Sequence, residues 1–112
     1  MAAAAAASMA NLDIIERESL LTASARLETT LHDKLAPIAY HPAVAEVRSG
    51  TGAVAAVQLT DASAALPLAK RLRSHGIATR AVGTGGIQIS PAFVITDEQV
   101  DDLVAGIGAA LG

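Results

Sequence analysis

The stretch that decides the fold is GIATRAVGTGGIQISPAFVIT, Gly76–Thr96. Ile77–Val82 reads as a strand, Gly83–Gly86 as a tight turn and Ile87–Ser90 as a second strand. Pro91 then breaks the extended pattern, and a helix starts at Thr96. The glycines supply the positive φ that a tight reversal needs. Arg80 is the only charged side chain within the stretch. A guanidinium is planar, permanently charged and able to bind in a bidentate fork, which suits it to a carboxylate or phosphate. Arg80 is therefore the candidate binding residue.

The helix that follows carries strong local signals. Thr96 is its N-cap, with Gln99 three residues on as capping-box partner, and Ile95 and Val100 occupy the positions of a hydrophobic staple. Asp97 and Glu98 place negative charge in the first turn, where the helix dipole favours it. Val100, Leu103, Val104, Ile107 and Leu111 form its apolar stripe. Gly106 and Gly108 weaken that helix and permit close packing against another one.

Upstream of the stretch, Asp61 or Ser63 opens a helix over roughly Ala64–Ser74, with Leu66, Ala69 and Leu72 facing inward. Lys70, Arg71, Arg73 and His75 crowd its last turn, where positive charge suits the dipole, and Gly76 is the left-handed stop. Before it, Val44–Ser49 and Ala53–Leu59 flank Gly50-Thr51-Gly52 as an antiparallel hairpin. Ala53–Val57 is apolar without alternation, which predicts a central strand covered on both faces, while Glu46 and Arg48 face solvent. Earlier still, Leu20, Leu27, Leu31, Leu35 and Ile38 make one stripe on a single long helix from Met9 to Ala39, with Asp13 and Arg17 spaced to pair. Pro37 and Pro42 end that helix near Tyr40.

The order α-ββ-α-ββ-α predicts an α+β two-layer domain, an antiparallel sheet of about four strands with three helices on one face. At 112 residues the chain is one domain with a modest core. That core must come from Leu, Ile and Val, because Tyr40 and Phe93 are the only aromatics. A net charge of −3 offers no basic field for nucleic acid. The absence of cysteine excludes disulfides, Cys-ligated zinc and thiol catalysis. MAAAAAASMA is too short to span a bilayer and has no positive n-region, so residues 1–10 are expected to be the start of a truncated helix and residues 11–112 the domain. A cytoplasmic protein without a membrane partner is expected.

Other constellations are weak. His32, His41 and His75 lack metal-ligand spacing, Asp101-Asp102 reads as helix surface, and Ser90 has no base at a readable distance. Gly83–Gly86 is explained by the hairpin turn before it is explained by phosphate binding. No metal and no catalytic residue are assigned.

GIATRAVGTGGIQISPAFVITDEQVDDLV resembles the C-terminal end of class III, pyridoxal-phosphate-dependent aminotransferases, the ω-transaminase group. MANLDIIERESLL is similar to the start of the same small domain, so the resemblance covers roughly residues 9–111. Ala92 departs from it, standing where the family usually has a second proline. The resemblance implies the small-domain fold of fold-type I enzymes, a large pyridoxal-phosphate-binding domain as partner, an amino-acid or keto-acid substrate, and a homo-oligomer. It also implies that Arg80 binds the substrate carboxylate and swings aside for amines lacking one. A transaminase needs a lysine for the Schiff base. The lysines here, Lys34 and Lys70, lie on charged helical faces, and the family's lysine sits in the large domain. The chain alone should therefore be inactive and hold no cofactor. Two other readings stay open: a free-standing module that binds a small carboxylate, and a self-associating fragment whose apolar face pairs with a copy of itself.

Overall fold

In a computed structural model that describes residues 1–112, the chain forms four α-helices and one antiparallel sheet of four strands. Helices α1 (Ala2–Arg17) and α2 (Leu20–Leu35) precede a short 3-10 turn, Ala36–Tyr40. Strands β1 (Val44–Arg48) and β2 (Ala55–Leu59) follow, then a second 3-10 turn, Ala62–Ala64, and helix α3 (Ala65–Ser74). Strands β3 (Ala81–Val82) and β4 (Gly86–Ile89) and helix α4 (Asp97–Leu111) complete the chain. The sheet order is β1-β2-β4-β3, so β2 and β4 are central and β3 is an edge. This is the expected α+β arrangement, with one helix more than predicted.

The extra helix arises at Ser19. The predicted single helix from Met9 to Ala39 is broken there by a left-handed residue, φ 52° and ψ 43°, the one non-glycine with positive φ. Only α2 carries the leucine stripe: Leu27, Leu31 and Leu35 are buried, whereas α1 buries nothing. The bend lets α2 follow the sheet while α1 leaves it. The predicted Asp13–Arg17 pair does not form, and Arg17 lies 3.7 Å from Glu18 instead.

One face of the sheet is the core. Ala55, Val57 and Leu59 of β2 and Ile87 and Ile89 of β4 pack with the leucines of α2, Leu68 and Leu72 of α3, and Val100 and Ile107 of α4. All eighteen buried side chains of this core are Leu, Ile, Val or Ala, and no polar side chain is buried. At about 25 cal/mol per Å² of apolar area removed from water, this layer is the main stabilising term. Tyr40 and Phe93 stay outside it.

The other face of the sheet carries no helix. β2 alternates buried and half-buried residues, so the expectation of cover on both faces is corrected: Ala56 and Gln58 look out, and Val54 is exposed. The stripe of α3 is also corrected. Leu66 is exposed, and Ala65, Leu68, Ala69 and Leu72 face inward, the i, i+3, i+4, i+7 set that results once the 3-10 turn fixes the helix phase.

Helix ends follow their local signals. Thr96 and Gln99 form the full capping box. Arg26 of α2 contacts Asp97 at 2.6 Å, and Lys34 pairs with Asp101, which ties α2 to the start of α4. At the end of α3, Ile77 N–H donates to the Leu72 carbonyl and Gly76 N–H to that of Arg73, a Schellman motif closed by Gly76 at φ 77°. Arg71 Nε donates to the Ala110 carbonyl at 3.1 Å, which fastens α3 to the last turn of α4.

Candidate functional site

The glycine hairpin reverses where the sequence predicts, but over Gly83–Gly85 rather than Gly83–Gly86. Gly86 already belongs to β4, which runs Gly86–Ile89 instead of Ile87–Ser90, and the first arm differs more. Val82 pairs with Gly86 across a three-residue loop, with Gly83 at φ 55° and Gly85 at φ 99°. The turn is fastened to β2: Leu59 N–H donates to the Gly85 carbonyl at 2.9 Å, and Gln58 Nε2 donates to the Thr84 carbonyl at 2.7 Å. Regular strand covers only Ala81–Val82, not Ile77–Val82. Ile77 N–H is used in capping α3, and the Thr79 hydroxyl, rather than a backbone ladder, bonds the Gln88 carbonyl. The ladder resumes where Gln88 N–H donates to the Arg80 carbonyl at 3.1 Å.

That pairing sets Arg80 and Gln88 side by side on the helix-free face. Arg80 Nε donates to Gln88 Oε1 at 2.8 Å, and Gln88 Nε2 donates to Ser90 Oγ at 3.0 Å. No carboxylate is paired with Arg80: the ion pairs of the chain are Arg17–Glu18, Arg26–Asp97, Lys34–Asp101 and Arg48–Glu46. Arg80 is exposed and borders an open cleft of about 950 Å³ between the end of α3, the β3 edge and the β4–α4 loop. Arg73, His75, Ser90 and Asp102 share its rim, and Ile77 and Leu103 lie in its apolar floor.

The remaining candidates scatter. His32 Nδ1 lies 3.0 Å from Ser49 Oγ. His41 Nδ1 accepts from Ala43 N–H, so its Nε2 carries the proton and donates to the Gly112 oxygen at 2.7 Å. No group of His, Asp or Glu is disposed to hold a metal ion. Glu46 and Arg48 form an exposed pair at 3.0 Å, as a solvated strand face would. Gly85 is buried against Ala62, whereas Gly83 and Thr84 are exposed. No helix of the chain is long and apolar enough to cross a membrane.

Gln88 is the residue that sequence reasoning passed over. A three-residue loop at Gly83–Gly85 fixes Val82 opposite Gly86 and therefore Arg80 opposite Gln88, and the alternation Ile87-Gln88-Ile89 turns the amide outward. The signal was present as register rather than as spacing.

Residues 2–111 match the family description "Aminotransferase class-III". This chain belongs to the class-III aminotransferase family. It is 35% identical over 104 residues to an ornithine aminotransferase of Staphylococcus carnosus, covering 93% of this chain and 25% of that protein. It is 29% identical over 121 residues to a taurine–pyruvate aminotransferase of Bilophila wadsworthia, covering 94% of this chain and 26% of the other. Among solved structures, a transaminase with L-alanine superposes with a TM-score of 0.89 at 28% identity, over 96% of this chain and 27% of that one. The ω-transaminase of Pseudomonas jessenii in complex with PMP superposes with a TM-score of 0.82 at 29% identity, over 90% and 24%. This class-III aminotransferase chain thus spans about a quarter of the length of the curated relatives it matches.

The family implies pyridoxal phosphate, and the residues present do not fit it. Lys34 is held by Asp101 and by the Asp97 carbonyl, and Lys70 is exposed on α3. A Schiff-base lysine needs a desolvated pocket that favours the neutral amine. No charged side chain of this chain is buried.

Proposed function

We propose that this chain is the C-terminal small domain of a pyridoxal-phosphate-dependent class-III aminotransferase. In that enzyme it closes over the active site of the large domain, and Arg80 binds the carboxylate of the amino-acid or keto-acid substrate. The observation that carries the reading is the state of Arg80. It is the one cation on the glycine hairpin, it borders a cleft, and its Nε is engaged by a neutral amide instead of a carboxylate. Its charge is therefore not neutralised within the chain.

The physical role follows. A carboxylate held by two parallel N–H donors is fixed in orientation as well as position. Fixing it before reaction removes orientational freedom that the chemical step would otherwise have to lose. Closure of the two domains would exclude water and strengthen the pair. The exposed apolar residues of α1, Met9 and Leu12, are the surface that the rest of the enzyme would cover.

Steady-state kinetics of the complete enzyme with Arg80→Ala test this reading. KM for amino-acid substrates should rise by one to two orders of magnitude, while kcat/KM for a simple amine should hold within about twofold. An equal loss on both substrates would remove the role assigned to Arg80.

A further inference from the structure

We infer that Gln88 is the positioning residue for Arg80 and restricts how a carboxylate can approach it. This rests on the reading of Arg80 as the carboxylate ligand and deepens it.

A guanidinium offers two bidentate edges: a side edge made by Nε and one Nη, and an end edge made by both Nη atoms. In this chain the Nε–H is already donated to Gln88 Oε1 at 2.8 Å. The side edge is therefore closed, and the end edge stays open. The orientation of the amide is forced, because Arg Nε can only donate and must meet the oxygen of Gln88. The amide nitrogen then faces Ser90 Oγ, which accepts from it at 3.0 Å. Ser90, Gln88 and Arg80 thus form a relay along one face of the hairpin. Its backbone is fixed by the donation from Gln88 N–H to the Arg80 carbonyl.

The choice of an amide has an electrostatic reason. A glutamate at position 88 could make the same bond, but it would pair with the guanidinium and compete with the substrate. An aliphatic residue would leave the side chain of Arg80 free, and binding would then have to immobilise it. Glutamine orients the fork and leaves its charge available.

The test compares Gln88→Met, which keeps the length and removes the acceptor, with Gln88→Glu in the complete aminotransferase, beside Arg80→Ala. With Gln88→Met, KM for amino-acid substrates should rise about five- to tenfold while kcat/KM for a carboxylate-free amine stays within about twofold. Gln88→Glu should raise that KM further, because an intramolecular carboxylate occupies the fork. If Arg80→Ala abolishes the preference for carboxylates but Gln88→Met leaves it intact, the positioning role falls and the carboxylate role stands. If Arg80→Ala leaves the preference unchanged, the carboxylate role itself falls. A parallel loss on both substrate classes in Gln88→Met would mark a merely structural residue and overturn the inference.

Measurement of the unmutated protein guards against a variant that fails to fold. The Arg80 Nε–H resonance should exchange slowly with water, with or without acetate. Exchange as fast as that of a free arginine would overturn the closed side edge.

Discussion

Replacing Gly85 by alanine should be among the most damaging single-methyl additions to this chain. Gly85 lies at φ 99°, and a Cβ there would come within 2.6 Å of Ala62 Cα and 3.1 Å of both Ala62 Cβ and Gln58 Nε2. Two of these three atoms, Ala62 Cα and Cβ, lie at the backbone or against it and cannot swing away. The left-handed conformation costs about 1–2 kcal/mol for an L-residue. Overpacking against a fixed neighbour costs about 1–3 kcal/mol more. Restricting the unfolded chain returns about 0.4–1 kcal/mol. The net loss is about 1–5 kcal/mol, centred near 3. Gly83 is the internal control, because it lies at φ 55° with nothing within 4 Å of a built Cβ. Gly83→Ala should cost about 1 kcal/mol or less, since the unfolded-state term offsets most of its strain. Urea unfolding followed by far-UV circular dichroism, with unchanged m-values, gives both numbers. Equal costs for the two variants would refute the close approach of the turn to Ala62 and, with it, the fixed register that faces Arg80 with Gln88.

Three further outcomes are expected. The Asp61 carboxylate accepts from the Ser63 hydroxyl at 2.7 Å and from the Ser63 amide at 2.9 Å, and the hydroxyl bond first, then the amide bond, hold its pKa below the ordinary 3.8. A depressed carboxylate stabilises the fold above its unfolded pKa, and the contribution is lost as pH falls through the lower folded value. Carboxyl NMR should therefore show Asp61 titrating below 3.8, and Ser63→Ala should move the midpoint back towards it. A double-mutant cycle on Arg26 and Asp97, both more than half exposed, should return under about 1 kcal/mol and vanish in 1 M salt; a large, salt-independent coupling would contradict an exposed pair. Finally, Met9 and Leu12 are 60% and 56% exposed on α1, so the chain by itself should self-associate in sedimentation and Leu12→Lys should weaken that association; a monomer at all concentrations would argue against an uncovered interface.

What could be read from the sequence was local. The Thr96–Gln99 capping box, the Gly76 stop and the glycine turn are each set by residues within a few positions of one another, and each is present. The break at Ser19 was illegible because neither Gly nor Pro marks it, and a serine takes the left-handed turn. The leucine stripe continued on paper across a bend that only the packing of α2 on the sheet requires. Leu66, expected inward, is exposed, and Leu68, absent from the expected stripe, is buried, because the helix phase follows the 3-10 turn before it. Gly106 was expected to admit another helix, whereas the atom nearest to a built Cβ there is Ile77 Cδ1, from the segment before β3. Arg80 stood out by its isolation among apolar residues. Gln88, eight positions on, had meaning only once the strand register joined the two.

Affinity for a simple carboxylate is the most direct measurement of the central claim. Propionate should bind the complete enzyme, and calorimetry with Arg80→Ala should show that affinity weakened about 10- to 100-fold, the loss of a charge-assisted bidentate contact. Propionamide, which has the same shape and no charge, should bind both proteins alike. Equal affinity of propionate for the two proteins would contradict the account, because Arg80 would then have no part in holding the substrate carboxylate.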